Sequence, residues 1–144
     1  MPKSPGSENQ RRDNQPAPAD LREWLERIEA DGGLHRIEKP VSAAEELSGI
    51  TYMAARDENS PAILFENIEG DETGTRILAN MLGASKRRFA HALGVDPDLT
   101  TTELIQAMRA ISAERIAPVM VAADSAPVNE IVLTGADIDL TRLP

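Results

Sequence analysis

The chain has 144 residues, no cysteine, one Trp, one Tyr, two Phe and a formal net charge of −9, a length that suits one domain with a real core but not two. The missing Cys excludes disulfides, thiolate nucleophiles and sulfur-ligated zinc, and fits a reducing cytoplasm. Residues 1–20 are charge-balanced, so the whole −9 falls in residues 21–144, where 21 acids face 12 bases; such a surface repels phosphate and has few rings for stacking, so nucleic acid is not an expected partner.

Residues 1–19 read as a disordered polar tail, because four Pro, one Gly and two Ser offer nothing to offset the entropy of ordering. The same polarity argues against a signal peptide. Order is expected from Asp20, which stands with Glu23 at capping-box spacing. Leu21, Trp24, Leu25 and Ile28 then follow at i, i+3, i+4 and i+7, predicting a helix that ends at Gly32-Gly33. Residues 34–38 predict a short edge strand with Leu34 and Ile37 on one side, stopped by Pro40. Ser42 with Glu45 repeats the start signal for a helix to about Arg56, with Leu47, Ile50 and Ala54 inward.

Residues 62–66 and 76–81 are strand candidates on either side of a polar turn. A short helix is predicted from Ser85 to Leu93, closed by Gly94, and a longer one opens at Thr100 with Glu103, turning Leu104, Ile105, Met108 and Ile111 inward. Residues 118–122 and 128–133, β-branched and bounded by Pro or Gly, are two further strand candidates. The longest uncharged apolar run, residues 116–123, is interrupted by Pro118 and falls short of the about 20 residues that a membrane-spanning helix needs. The order of elements predicts a mixed α/β domain of the α+β kind.

The residues by themselves form no self-sufficient catalytic set. His35 and His91 stand alone without a second ligand at helical spacing, and both read as structural. Lys86, Arg87 and Arg88 at a helix start are candidates for an anion contact or a solvated face; cations gain nothing from the dipole there, which favours the solvated face. Gly32-Gly33 terminates a helix, and Gly70 with Gly74 flanks an acidic turn that would repel phosphate. Asp137 and Asp139 would lie on one side of an extended strand, about 7 Å apart, as hard-cation ligands or as an acidic turn; the turn is the favoured reading. Glu66 and Asn67 either shape a rim or simply end their strand.

Several segments in order resemble the N-terminal part of the UbiD family of decarboxylases: DLREWL at 20–25 followed by GLHRI at 33–37, PAILFENIEG at 61–70, RILANMLG at 76–83, ALG at 92–94 and, most distinctively, APVNEIVLTGADIDLTRLP at 126–144. The resemblance covers residues 20–144 and implies a small mixed sheet flanked by helices. The division it implies is a tail over 1–19, an N-terminal α/β domain over 20–117, and over 118–144 the first strands leading into a flavin-reductase-like split barrel that this chain lacks.

The family performs non-oxidative, reversible decarboxylation of aromatic or α,β-unsaturated acids with prenylated flavin mononucleotide, a divalent metal such as manganese and potassium. The prenylated ring is the electron sink, and a Glu-Arg-Glu set moves protons beside it. That set, and the Asn, His and Glu that hold metal and phosphate, belong to the absent part, so no catalytic, cofactor or metal residue is carried over to this chain. The resemblance therefore implies a structural, cleft-forming portion that binds no flavin and is inactive alone. Its expected partners are the remainder of a decarboxylase, or a longer homologous chain, with a flavin prenyltransferase serving the full enzyme. The alternative is a stand-alone interaction or regulatory subunit that binds a longer decarboxylase chain. Residues 128–133 would have no barrel to pair with, so the C-terminal twenty residues are expected to be poorly ordered or self-associating.

Overall fold

The computed structural model describes residues 16–57, 59–83 and 85–140. In chain order these form α1 (Leu21–Ala30), β1 (Leu34–Ile37), α2 (Glu46–Ala54), β2 (Ala62–Phe65), β3 (Ile77–Ala79), α3 (Lys86–Leu93) and α4 (Thr101–Ala113), then 3-10 turns at Pro127–Asn129 and Gly135–Asp137. The sheet order is β1-β2-β3, with β1 parallel to β2 and β3 antiparallel to it. A parallel pair needs a crossover, and α2 supplies it. The architecture is mixed α+β, a three-stranded sheet with helices on both faces.

The two cores follow from the alternation of strand side chains. All four residues of β2 are buried, as a central strand covered on both faces requires. Ala62 packs against Trp24 and Ile28 of α1, with Leu34, Leu78 and Ala92 around them. Ile63 and Phe65 turn the other way, against Val41 and the Leu47, Ile50 and Ala54 side of α2. Leu34 and Ile37 consequently belong to opposite faces rather than one side. Their separation is an odd number of strand steps, and edge strand β1 is covered on both faces.

The helix starts are built from local side-chain chemistry. Asp20 accepts from the amides of Arg22 and Glu23 at 2.8 and 3.0 Å, while the Glu23 carboxylate takes the Ala19 amide at 2.7 Å, one residue before the N-cap. Ser85 accepts from the Arg88 amide at 3.3 Å, and Gly94 closes α3 in the left-handed region at φ 68°. Thr100 and Glu103 form the complete reciprocal box, at 3.3 and 2.8 Å. The second start differs from expectation: α2 begins at Glu46 rather than Ser42 and ends at Ala54. The Ser42 hydroxyl accepts from the Glu45 amide at 3.3 Å and the Glu46 carboxylate takes the Ser42 amide at 3.1 Å, so the start signal caps a turn that precedes the helix.

Order also starts before Asp20. Arg27 donates to the Pro16 carbonyl at 2.7 Å, and a Cβ on Gly94 would collide with the Ala17 backbone. Residues 1–15, the rest of the expected tail, lie outside the described residues.

The C-terminal part departs most from expectation. Residues 118–122 and 128–133 form no strand; strand propensity needs a neighbour to pair with and a face to cover, and the described residues supply neither. Val119, Met120, Val128 and Ile131 are 84, 91, 85 and 76% exposed. On α4 only Leu104 is buried, whereas Ile105, Met108 and Ile111 are exposed instead of inward, because α4 touches the rest of the fold mainly through α3. Residues 141–144, the end of the expected barrel connection, lie outside the described residues. Among the described residues no helix is long and apolar enough to cross a membrane.

Candidate functional site

The polar centre of the fold lies where β3 gives way to α3. Asn80 leaves the strand at φ 50°, the one positive φ outside glycine among the described residues. Its amide donates to the Ser60 hydroxyl at 2.5 Å and to the Pro61 carbonyl at 2.8 Å. Arg88, only 4% exposed, donates from Nε to the Met81 carbonyl at 2.9 Å and from its terminal nitrogens to the carbonyls of Ser60 and Asn80. Burial pushes the Arg88 pKa down, and backbone carbonyls rather than a carboxylate compensate its charge. Trp24 of α1 completes the junction by donating from Nε1 to the Arg88 carbonyl at 3.4 Å. Gly83 is essential to this geometry, since a Cβ there would collide with the Asn80 Oδ1 and the Arg88 guanidinium.

The rest of the basic triplet is equally engaged. Lys86 donates to the Leu99 carbonyl at 2.7 Å. Arg87 spans Asp31 at the end of α1 and Asp98 in the loop before α4, with contacts of 2.5 Å to each. His91 Nε2 lies 3.3 Å from Asp31 Oδ2. The Arg87 guanidinium, and then His91, hold the Asp31 carboxyl below the usual Asp value. Arg88 is buried, whereas Lys86 and Arg87 stay exposed while bonding to the loop before α4 and to Asp31, so the triplet is a solvated face only in part.

The remaining candidates are dispersed. His35 is exposed on β1. Glu66 joins Glu29 in clasping Arg36, whose Nε and terminal nitrogen reach Glu29 at 2.6 and 2.8 Å; this ties the end of β2 to α1, and the Arg36 hydrogen bonds lower the Glu29 pKa. The Asn67 carbonyl accepts from the Val41 amide at 3.1 Å. Asp71 accepts from the Thr73 hydroxyl at 2.6 Å and the Thr75 amide at 2.6 Å, which closes the turn between Gly70 and Gly74. Asp137 lies in a 3-10 turn, so the extended spacing expected of Asp137 and Asp139 is not formed. Among the described residues no three His, Cys, Asp or Glu side chains gather as a metal site. With Lys86, Arg87 and Arg88 each bonded to carbonyls or carboxylates of the fold, the described residues do not fit a flavin phosphate and its metal.

The buried role of Arg88 was missed by reading the triplet as a block. Its signal was periodic: Arg88 lies four residues before Ala92, which packs on the α1 core. Beside α3, a groove of about 230 Å³ runs along α4 between Phe89, Leu104, Ile105 and Met108, continuous in sequence with the exposed apolar arm at 116–140.

The sheet, its crossover helix and the Arg88 junction define an α+β module whose buried polar side chains serve packing among the described residues. Residues 25–108 match the family model described as 3-octaprenyl-4-hydroxybenzoate carboxy-lyase N-terminal domain, and the chain belongs to this UbiD family. Three solved structures of vanillic acid decarboxylase from Sedimentibacter hydroxybenzoicus are similar. The closed form is 30% identical with a TM-score of 0.67, covering 84% of this chain and 25% of that chain. The open form with truncated ShVdcD is 29% identical with a TM-score of 0.63, covering 79% and 24%. A further open form is 31% identical with a TM-score of 0.55, covering 60% and 18%. The chain thus matches a quarter or less of the length of these decarboxylase chains.

Proposed function

We propose that this chain works as the N-terminal, cleft-forming portion of a UbiD-type decarboxylase that acts without oxidation on aromatic or α,β-unsaturated acids. Prenylated flavin, its metal and the proton-transfer residues would be supplied by the larger part of such an enzyme, and the chain alone would release no CO₂. The observation that carries this reading is the family match over 25–108 together with an apolar arm and α4 stripe left open beside a packed module. Apolar surface of that extent is a mark of an interface, and a cofactor domain is the surface such a module would cover.

The test is co-expression with a UbiD-type cofactor-domain polypeptide and a flavin prenyltransferase, followed by native mass spectrometry, flavin absorbance and CO₂ release from vanillate. The expected result is a stoichiometric complex that carries flavin, beside a colourless chain when expressed alone. Flavin absorbance or CO₂ release from the purified chain by itself would overturn the reading.

A further inference from the structure

The two sides of the crossover helix α2 differ in what they meet. Leu47, Ile50 and Ala54 pack against Val41, Ile63 and Phe65. Gly49, Tyr52 and Met53 face away from that core, and Tyr52 and Met53 are 67 and 75% exposed. Gly49 stands in the helix interior, where glycine is the poorest helix former after proline. It does not adopt the positive φ that favours glycine, and a Cβ there would meet nothing within 4 Å. No contact within the fold calls for the missing side chain.

The charges at the two ends of this side are also uncommitted. Glu45, at the N-cap, bonds no amide with its carboxylate. Arg56, just past the C-cap, lies 5.8 Å from the centre of the Tyr52 ring. Neither forms an ion pair with a described residue. Glu45, Gly49, Tyr52 and Arg56 follow one another at steps of four, three and four, the spacing of a seam that packs on another helix.

That seam is complementary to itself when two copies run antiparallel. A two-fold axis midway between Gly49 and Tyr52 sets Glu45 opposite Arg56 of the second copy and Gly49 opposite its Tyr52, and each match occurs twice. Acid meets base, and the residue without a side chain meets the ring. A parallel pair would instead set Glu45 on Glu45 and Arg56 on Arg56, which charge repulsion disfavours.

We propose that this side of α2 is a self-association surface, on which a second copy docks antiparallel with Tyr52 of each copy over Gly49 of the other and Arg56 paired with Glu45. A seam of about three helical turns covers less than the roughly 1,200 Å² of a stable interface, so the dimer is weak, with a Kd on the order of 0.1 mM. The proposal stands on α2 alone and does not depend on the decarboxylase reading.

The test is sedimentation equilibrium of the 144-residue chain from about 10 µM to about 1 mM, with ¹⁵N amide shifts followed over the same range. A monomer–dimer equilibrium is expected, with concentration-dependent shifts on α2. Gly49→Leu places a strong helix former in open space; it is expected to melt no lower than the parent and to weaken the dimer about ten-fold or more. Glu45→Arg and Arg56→Glu are each expected to weaken it by a similar factor, and an equimolar mixture of the two to restore it, because the mixed pair regains both acid–base matches. Ile131→Ser in the exposed arm is expected to leave it unchanged. A chain that stays monomeric to about 1 mM, a dimer that Gly49→Leu leaves intact or Ile131→Ser abolishes, or a mixture as weak as either charge variant alone would overturn the proposal. So would α2 shifts that arise only when a cofactor-domain polypeptide is added, which would assign the surface to that polypeptide.

Discussion

β2 and residues 128–133 are both selected by the strand rules and meet opposite fates. β2 is apolar throughout, and 128–133 carries Val128, Ile131, Val132 and Leu133 beside Asn129 and Glu130. β2 is buried along its whole length, whereas Val128, Ile131, Val132 and Leu133 are 85, 76, 68 and 56% exposed. The difference lies in what surrounds them. β2 has β1 and β3 as hydrogen-bonding neighbours and helices over both faces, while the later run has no strand beside it among the described residues. The contrast teaches that β-propensity describes fitness for a covered, paired position rather than a property of the run itself.

The comparison breaks most sharply through the core. Phe65→Ala, at a side chain with no exposed surface, is expected to cost about 3–5 kcal/mol in urea denaturation. Ile131→Ala in the arm is expected to stay within about 0.5 kcal/mol of the parent; comparable losses at the two positions would erase the distinction. Arg88→Ala comes next. It removes a buried cation and strips three carbonyls of their donor, at about 2–4 kcal/mol, with Arg88→Lys recovering only part because one ammonium cannot reproduce the fork.

Gly94→Ala sharpens the N-terminal boundary of the packed part. Left-handed backbone at φ 68° costs a non-glycine residue about 1–2 kcal/mol, and the added Cβ also displaces Ala17. A displaced Ala17 amide chemical shift, alongside the stability loss, is the signature that separates the collision from the backbone cost.

The smallest effect is that of pH. Asp31 titrates below its ordinary value of 3.8 in the folded chain, chiefly through its hydrogen bonds with Arg87. A depressed carboxyl contributes stability that is full above the unfolded value and is lost as pH falls through the folded one. Asp31→Asn is therefore expected to flatten the acid limb of the stability profile below about pH 4, read by thermal denaturation, and to leave its shape near neutrality unchanged.

Legibility in the sequence followed the range of the forces involved. The caps at Asp20, Ser85, Gly94 and Thr100 bond within a few residues of themselves, so spacing alone located them. The opposite facing of Leu34 and Ile37 depends on sheet layers formed by α1 and α2, which periodicity in a four-residue strand cannot display. Arg88 was hidden because its partners, Ser60, Asn80 and Met81, come from a different part of the chain and are backbone groups that no residue type announces. Ile105, Met108 and Ile111 carry a sound amphipathic pattern; what the pattern cannot state is whether the covering surface lies within the same stretch of chain.

The central claim is that residues 16–113 form a packed module and that the apolar arm after them belongs against a surface of a larger decarboxylase. Amide hydrogen exchange tests it most directly, on the chain alone and mixed with a UbiD-type cofactor-domain polypeptide. Alone, protection is expected at β2 and absent across 128–133; in the mixture, protection is expected to appear across 128–133 and on the exposed stripe of α4. Strong protection of residues 128–133 in the monomeric chain alone would contradict the account.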